Sequence, residues 1–157
     1  MNREKTNVMR LLSQAKIRYA AHYYDGSAGA VSGADVAREL GQDPARVFKT
    51  LVAVGRSREH YVFMVPVEAE LDLKKAAAAA GEKSVEMIKQ KELLPLTGYV
   101  HGGCSPIGMK KQFKTTADIS ALGFETIFFS AGKIGAQVEV APKDLQALIG
   151  CAFKELV

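Results

Sequence analysis

A glycine-rich segment at residues 102–108 constrains the fold of this chain more than any other stretch. It reads Gly-Gly-Cys-Ser-Pro-Ile-Gly, and two lysines, Lys110 and Lys111, come shortly after it. Glycine reaches backbone conformations that are closed to other residues, and Pro106 fixes its own φ angle, so the segment must be a tight loop. Such a loop is either an ordinary turn between strands or a place where main-chain N–H groups meet a carbonyl or a phosphate. The lysines favour an anionic partner in the second case and lie on a solvated face in the first.

The composition is that of an ordinary globular protein, with 48% hydrophobic and 24% charged residues. Its 157 residues predict one domain, spanning 1–157, that buries a core without disulfides or a structural metal. No uncharged apolar run approaches the roughly 18 residues that cross a bilayer, and no signal segment is visible, so we expect no membrane partner and a cytoplasmic location. Cys104 and Cys151 are then reduced thiols. The net charge of +4 suits a nucleic-acid partner without requiring one.

The spacing of apolar residues predicts a mixed order of helices and strands, and hence an α+β fold. Several short strands lie next to glycine turns, which predicts a strongly curved, nearly closed sheet. The expected helices cover residues 4–16, 32–40, 71–80 and 115–121, with others starting at 84 and 142. The expected strands cover residues 18–24, 47–54, 60–66, 97–101, 126–130 and 136–140.

Lys49 is the sharpest anomaly within these elements. It interrupts the apolar run from Val47 to Val54, and on a strand it shares a face with Val47 and Leu51. A lysine on a core-facing edge is costly unless its ammonium group reaches solvent, a partner or a cleft. The functional alternative to a solvated lysine is a cleft lysine that donates to an ester carbonyl or a phosphate.

Other candidates for chemistry are weaker. The three histidines, His22, His60 and His101, are far apart and have no ligand-spaced partner, so we expect no metal. His101, beside the glycine loop, is either a site residue or a structural one. Ser105 lacks a nucleophile elbow and is better explained by a local hydrogen bond, and Cys104 is either a reactive thiol or a small buried side chain. No Walker A or dinucleotide pattern is present, and we expect no cofactor.

A second glycine-bearing turn, Ser130-Ala-Gly-Lys-Ile-Gly, follows a predicted strand. This turn, the Lys49 strand and the glycine loop occur in an order that resembles the YbaK/EbsC family over nearly the whole chain. The resemblance rests on the following segments: Tyr24-Asp25, Asp43-Pro44 with Val47-Phe48-Lys49-Thr50-Leu51, Leu73-Lys74-Lys75-Ala76-Ala77, Gly102-Gly103-x-Ser105-Pro106-x-Gly108, Ser130-x-Gly132-Lys133, and Val138-Glu139-Val140-Ala141-Pro142-x-Asp144-Leu145.

The resemblance implies an α+β domain with a mixed, barrel-like sheet and flanking helices, similar to the editing insertion of bacterial prolyl-tRNA synthetase. It implies a free-standing deacylase that removes cysteine wrongly attached to tRNA(Pro). In that branch the cysteine sulfur attacks its own ester carbonyl and leaves as a cyclic thiolactone. Such a substrate needs orientation and oxyanion stabilisation from the protein rather than a catalytic triad. The sister branch, which removes alanine from tRNA(Pro), is the nearest alternative.

Carried over by resemblance, Lys49 holds the tRNA 3′ end or the ester, and Gly102 and Gly103 supply backbone room and N–H groups near the carbonyl. The other residues that the resemblance places at the substrate are Tyr24, Thr50, Ser105, Pro106, Ser130 and Gly132. The chain departs from the family pattern at Ala131, Ile134 and Ala136, and it has Ala30, Val31 and Ser32 where the family offers an aromatic pocket residue.

Two partners follow from this interpretation. One is aminoacylated tRNA(Pro), for which Lys110, Lys111 and Lys114 offer a phosphate-contacting patch. The other is prolyl-tRNA synthetase in a transient complex, which the resemblance alone implies. The alternative from a different class of function is a non-catalytic module. It would bind a nucleotide or an aminoacyl-adenylate mimic in the same cleft.

Overall fold

A computed structural model describes residues 4–27, 29 and 31–157. Helices and strands occur in a mixed order along the chain, in which β2 is followed directly by β3 and β6 directly by β7. The helices are α1 (Asn7–Gln14), α2 (Gly33–Leu40), α3 (Leu73–Ala80), α4 (Leu93–Thr97) and α5 (Pro142–Ile149). The strands are β1 (Ala20–Tyr23), β2 (Phe48–Gly55), β3 (His60–Pro66), β4 (Val85–Met87), β5 (Lys114–Asp118), β6 (Ile127–Ser130), β7 (Ala136–Val140) and β8 (Ala152–Lys154).

The strands form two sheets. A three-stranded antiparallel sheet has the order β1-β7-β6, and a five-stranded mixed sheet has the order β4-β2-β3-β5-β8. A single parallel bridge between Val47 and Phe128 joins them at the start of β2. The predicted α+β class with a mixed sheet and flanking helices is confirmed. The expected barrel-like closure is not found, because only that one bridge links β6 to β2.

Local chemistry explains where the main helices begin and end. The Thr6, Ser32 and Asp72 side chains accept hydrogen bonds from the first free N–H groups of α1, α2 and α3. The helices α2 and α3 end at Gly41 and Gly81, whose φ angles of 65° and 74° are left-handed. Asp43 and Pro44 open a short 3-10 turn. None of the helices in the described part of the chain is long and apolar enough to cross a membrane.

Three predicted elements are wrong in type. The helix expected from Ser84 is strand β4, because Val85 pairs with Gly55 on the free edge of β2. The helix expected at 115–121 is strand β5 followed by a 3-10 turn, because β5 fills the gap between β3 and β8. The strand expected at 97–101 is the end of α4 and a turn, because Gly98 adopts a left-handed φ of 85°. Strand β8 was not predicted.

The five-stranded sheet is covered on both faces. On one face α3 packs on Ala53, Tyr61, Phe63 and Val65. On the other face Val52 and Val62 pack against a layer that contains α4 and the glycine loop. This second layer, residues 88–113, is called the covering layer below. It forms one wall of the candidate site.

Candidate functional site

A cavity of about 320 Å³ opens where the start of β2, helix α2, the β6–β7 pair and the covering layer meet. These four structural segments lie far apart in the sequence. The lining residues are Tyr24, Val31, Ser32, Gly33, Val36, Val47, Phe48, Lys49, Thr50, Leu51, Val67, Leu93, His101, Gly102, Cys104, Phe129, Ser130, Ala136 and Gln137.

The floor of the cavity is the exposed edge of β2. The side chains of successive strand residues point to opposite faces of a sheet. The cavity is nevertheless lined by four consecutive residues of β2, namely Phe48, Lys49, Thr50 and Leu51. This is possible because β4 pairs with β2 only at residues 53–55, which leaves residues 48–51 without a paired strand on that side, next to the single bridge from Val47 to Phe128. The cavity therefore meets both faces and the backbone of the strand.

Lys49 lies in this floor, half-buried and opposite Val65 of β3. Its ammonium group makes no hydrogen bond or ion pair with any other described residue. No aspartate or glutamate is among the described residues that line the cavity. A cation without a counter-charge in a half-buried cavity is suited to an anionic or carbonyl ligand.

A polar cluster fixes the segment that leads into Lys49. The Arg46 guanidinium donates to the Thr126 carbonyl at 3.1 Å and lies 4.7 Å from the centroid of the Phe128 ring. The guanidinium also donates to Thr126 Oγ1 at 2.6 Å and to Glu139 at 3.5 Å. Glu139 in turn accepts from Thr126 Oγ1 at 2.5 Å and bonds His22 Nε2 at 2.8 Å. Burial alone would raise the pKa of Glu139, but these partners outweigh it and hold the pKa below its ordinary value. The cluster ties the start of β2 to the three-stranded sheet.

Thr50, next to Lys49, carries a buried hydroxyl without a partner. Among the described residues, its Oγ1 is the side-chain atom that is fully buried and makes no hydrogen bond. An unsatisfied buried hydroxyl costs free energy. Thr50 also lines the cavity, beside Lys49.

The two glycines of the loop play different structural roles. Gly102 lines the cavity with a left-handed φ of 89°, and its N–H has no acceptor among the described residues. Gly103 is buried and does not line the cavity. A Cβ on Gly103 would lie 3.1 Å from the backbone of Lys133 and of Ile134. Gly103 therefore allows two loops to touch, whereas Gly102 offers a free donor to the cavity.

Ser105 and Pro106 lie behind the cavity wall rather than in it. Both are buried, and Ser105 is fully so. The Ser105 hydroxyl accepts a weak hydrogen bond from the N–H of Ile107 at 3.3 Å. This is the local contact that the sequence indicated for a serine before proline, and it places both residues as supports of the loop.

The second glycine-bearing turn forms the opposite wall. Ser130 lines the cavity, and its hydroxyl accepts from the N–H of Gly132 at 3.1 Å. Gly132 does not line the cavity, and its left-handed φ of 98° turns the chain beside Tyr99. Tyr24 is 6% exposed and separates this cavity from a second one of about 440 Å³ under the 133–135 turn.

The sequence did not indicate the apolar side chains and the amide side chain that line part of the cavity. Val36 of α2, Val67 after β3 and Gln137 of β7 line it, and the three belong to elements far apart in sequence. Gln137 is buried, and its amide forms a reciprocal pair with Gln42 at 2.7 and 3.0 Å. The one available signal was Gln137, a polar residue in an apolar strand. Val31 and Ser32, two of the three residues that replace the expected aromatic, also line the cavity, and Ala30 lies outside the described residues.

Cys104, the cysteine among the described residues that line the cavity, is not an activated nucleophile. Burial raises the pKa of the Cys104 thiol to about 12, against a smaller lowering by Thr97, so the thiol is protonated at neutral pH. His101 is exposed at the rim. No three histidine, cysteine or acidic side chains cluster to hold a metal ion within the described ranges 4–27, 29 and 31–157.

Comparison with known proteins adds independent information. The sequence profile of the aminoacyl-tRNA editing domain matches residues 27–148. A relative from Enterococcus faecalis, EbsC, named for deacylation of Cys-tRNA(Pro) and Cys-tRNA(Cys), is 45% identical over 153 residues, which cover 98% of this chain and 93% of that protein. A proline–tRNA ligase from Pelobacter propionicus is 29% identical over 100 residues, 64% of this chain and 17% of the ligase.

A solved structure shares the fold along almost its whole length. It is described as a trans-editing enzyme for prolyl-tRNA synthetase, and it superposes with a TM-score of 0.81 at 26% sequence identity. The match covers 95% of this chain and 93% of the other. The likeness therefore extends beyond the segments that carry the cavity.

Proposed function

The chain belongs to the family of aminoacyl-tRNA editing domains, and from this premise we propose that it is a trans-editing deacylase that removes cysteine from mischarged tRNA(Pro). The observation that carries the proposal is the cavity lined by Lys49, which has no counter-charge among the described residues, and by Gly102, whose N–H has no acceptor among them. These groups suit an ester whose carbonyl oxygen becomes negative and whose ribose leads to a phosphate.

The reaction that fits this cavity uses the nucleophile of the substrate. The cysteine thiol loses its proton, and its sulfur forms a bond to the carbonyl carbon of the same residue. The bond between that carbon and the ribose oxygen breaks, the ribose oxygen takes up a proton, and the amino acid leaves as a cyclic thiolactone. The protein contributes orientation and stabilisation of the developing oxyanion.

Each candidate residue has a role in this scheme. The Lys49 ammonium stabilises the oxyanion or the terminal phosphate, and the Gly102 N–H is the second donor. The Thr50 hydroxyl binds the ester or the ribose and so gains the hydrogen bond that it lacks. Tyr24 and Ser130 enclose the substrate. Gly103, Ser105, Pro106 and Gly132 act indirectly, by holding the loops in place.

The role of Lys49 is tested by deacylation of tRNA(Pro) charged with cysteine, with Lys49→Ala compared to the wild type. We expect at least a 100-fold loss of kcat/KM, because loss of an oxyanion donor costs roughly 100-fold or more, and an unfolding transition at least as high as that of the wild type. Lys74→Ala, which removes an exposed lysine on α3, is the matched control and should be as active as the wild type. A folded Lys49→Ala protein with full activity would remove Lys49 from the site.

The substrate-assisted step is tested with three charged forms of the same tRNA. Cysteine should be released as thiolactone, whereas S-methylcysteine, which has no free thiol, and serine, a poorer nucleophile, should remain attached. Rapid release of S-methylcysteine would contradict the mechanism and indicate attack by water. Faster release of alanine than of cysteine would assign the protein to the alanine-specific branch, and release of neither would favour a binding module.

We further propose that prolyl-tRNA synthetase delivers the substrate in a transient complex in the cytoplasm. The similarity to a proline–tRNA ligase over 100 residues and to a solved trans-editing structure supports this proposal. Addition of the synthetase should make deacylation selective for tRNA(Pro) over other tRNAs that carry cysteine.

A further inference from the structure

The covering layer is basic. Residues 88–113 contain four lysines (Lys89, Lys91, Lys110 and Lys111) and a single acidic residue, Glu92. This layer thus carries a net charge of +3. All four lysines are exposed, and none forms an ion pair with a described residue. Their charges are free for an external partner.

The basic layer is continuous with the candidate site. His101 and Gly102 of this layer line the cavity, and Cys104 lines it while packing on Val52 and Val62 beneath the layer. Further along, the N–H of Lys110 donates to the Thr97 carbonyl at 3.0 Å, which ties the second lysine pair to the end of α4. A ligand that leaves the cavity on this side meets the layer directly.

An aromatic pair marks the far end of the layer. The rings of Phe113 and His60 lie 5.6 Å apart, and Lys111 Nζ lies 5.8 Å from the centre of the Phe113 ring. His60 is on the same face of β3 as Met64, the residue opposite Thr50. Four residues of strand separate them, which is about 13 Å. A molecule confined to the cavity does not span this distance, whereas a polynucleotide does.

The structure separates Lys114 from this group. Lys114 is in register with Tyr61 of β3, and Tyr61 belongs to the cluster under α3 on the opposite face of the sheet. The patch of Lys110, Lys111 and Lys114 that the sequence indicated is therefore divided between two faces. Lys110 and Lys111 remain on the side of the covering layer.

We propose that the covering layer is a phosphate-binding track on which the RNA strand beyond the aminoacylated end lies, with Lys110 and Lys111 as its distal contacts. This inference rests on the proposed function for the orientation of the RNA. A track of this kind adds affinity for the nucleic acid without contacting the ester. It also places the half-exposed Phe113–His60 pair where an unpaired base stacks.

The track is tested by binding of an uncharged RNA hairpin with an acceptor stem and a CCA end, measured by fluorescence anisotropy at several salt concentrations. The Lys110→Ala/Lys111→Ala protein should bind about 10-fold more weakly at low salt. Its slope of log K against log salt should be smaller by about 1.5, since each lost phosphate contact removes about 0.7 to 0.9. The Lys74→Ala/Lys154→Ala protein loses the same charge elsewhere and should match the wild type.

A second measurement separates the track from the active site. With 3′-cysteinyl adenosine, which has no phosphate group for Lys110 and Lys111 to contact, the Lys110→Ala/Lys111→Ala protein should cleave as fast as the wild type. Equal weakening by both double variants, or unchanged hairpin binding in the first, would overturn the track. Loss of cysteinyl-adenosine cleavage would show that the lysines act in the cavity instead. Because hairpin binding requires no catalysis, the track is tested even if the proposed deacylation fails.

Discussion

At the scale of single residues, Lys49 and Thr50 each carry a polar group without a partner, of two different kinds. Lys49 is a half-buried cation without a counter-charge, and Thr50 is a buried hydroxyl without a partner. Both are unfavourable in the free protein and become favourable when a ligand supplies an oxygen atom or an N–H or O–H donor. Two adjacent residues of this kind on one strand edge indicate a site that sacrifices stability for binding.

Thr50→Val tests this trade-off, because valine has nearly the same shape and no hydroxyl. We expect the free energy of unfolding to rise by about 1 kcal/mol, since an unsatisfied buried group is removed. Deacylation should fall, mainly through KM if the hydroxyl binds ground state and transition state equally. Urea unfolding and steady-state kinetics on one preparation measure both effects. A less stable Thr50→Val protein would mean that the hydroxyl already has a partner.

At the scale of elements, the site depends on backbone contacts between loops. The glycine loop meets the 133–135 turn at Gly103, and the turn meets the chain after β1 where a Cβ on Gly26 would lie 2.9 Å from Ile134 Cγ2. Side chains at these positions would separate the walls of the cavity. Because their backbones touch, the glycine loop, the 133–135 turn and the chain after β1 can form the cavity without regular secondary structure at their points of contact.

Gly103→Ala should therefore destabilise the protein by about 1 to 3 kcal/mol and lower its activity, because the new methyl group meets backbone atoms that cannot rotate away. Gly123→Ala is the control. Nothing lies within 4 Å of a Cβ at Gly123, and its φ is not left-handed, so stability and activity should not change. Thermal unfolding and deacylation of both variants are compared. A fully active Gly103→Ala protein would show that the loops can move apart without cost.

The elements also show how far local sequence patterns reach. The capped helices α1, α2 and α3 were predictable, because their caps and apolar spacing are local. Strands β4 and β8 have three residues each, and β5 has a sequence, Lys-Thr-Thr-Ala-Asp, without strong alternation. These strands form because a neighbouring strand offers unpaired backbone N–H and C=O groups. No local sequence pattern indicates which segment that neighbour is.

At the scale of the whole molecule, two buried thiols make stability dependent on alkaline pH. Burial raises the pKa of Cys104 to about 12 and that of Cys151 to about 11, from an ordinary value of 9.0. As the pH rises above 9, the two thiols stay protonated in the folded state and lose their protons in the unfolded state. The stabilisation is therefore complete below about pH 9 and is lost as pH rises towards these values.

We expect the free energy of unfolding to fall above pH 9 by about 1 kcal/mol per thiol for each pH unit. Urea unfolding between pH 7.5 and 10 measures the dependence. A Cys104→Ala/Cys151→Ala protein should lose less stability than the wild type over the same interval. An equal loss in both proteins would assign the alkaline dependence to other groups, such as Tyr99, whose pKa burial raises to about 12.

The α+β class, the positions of most helices and hairpins, and the chemically distinctive residues could all be predicted from the amino-acid sequence; these residues are Lys49, the glycine loop and the Ser130 turn. These features are local, or they belong to a pattern of segments in fixed order. Three other features could not be predicted in this way: Gly102 lines the cavity while Gly103 joins two loops, Lys114 faces away from Lys111, and Val36 and Gln137 form the remaining walls. Each of these depends on strand register or on contact between distant loops, which are set by the packing of the whole chain.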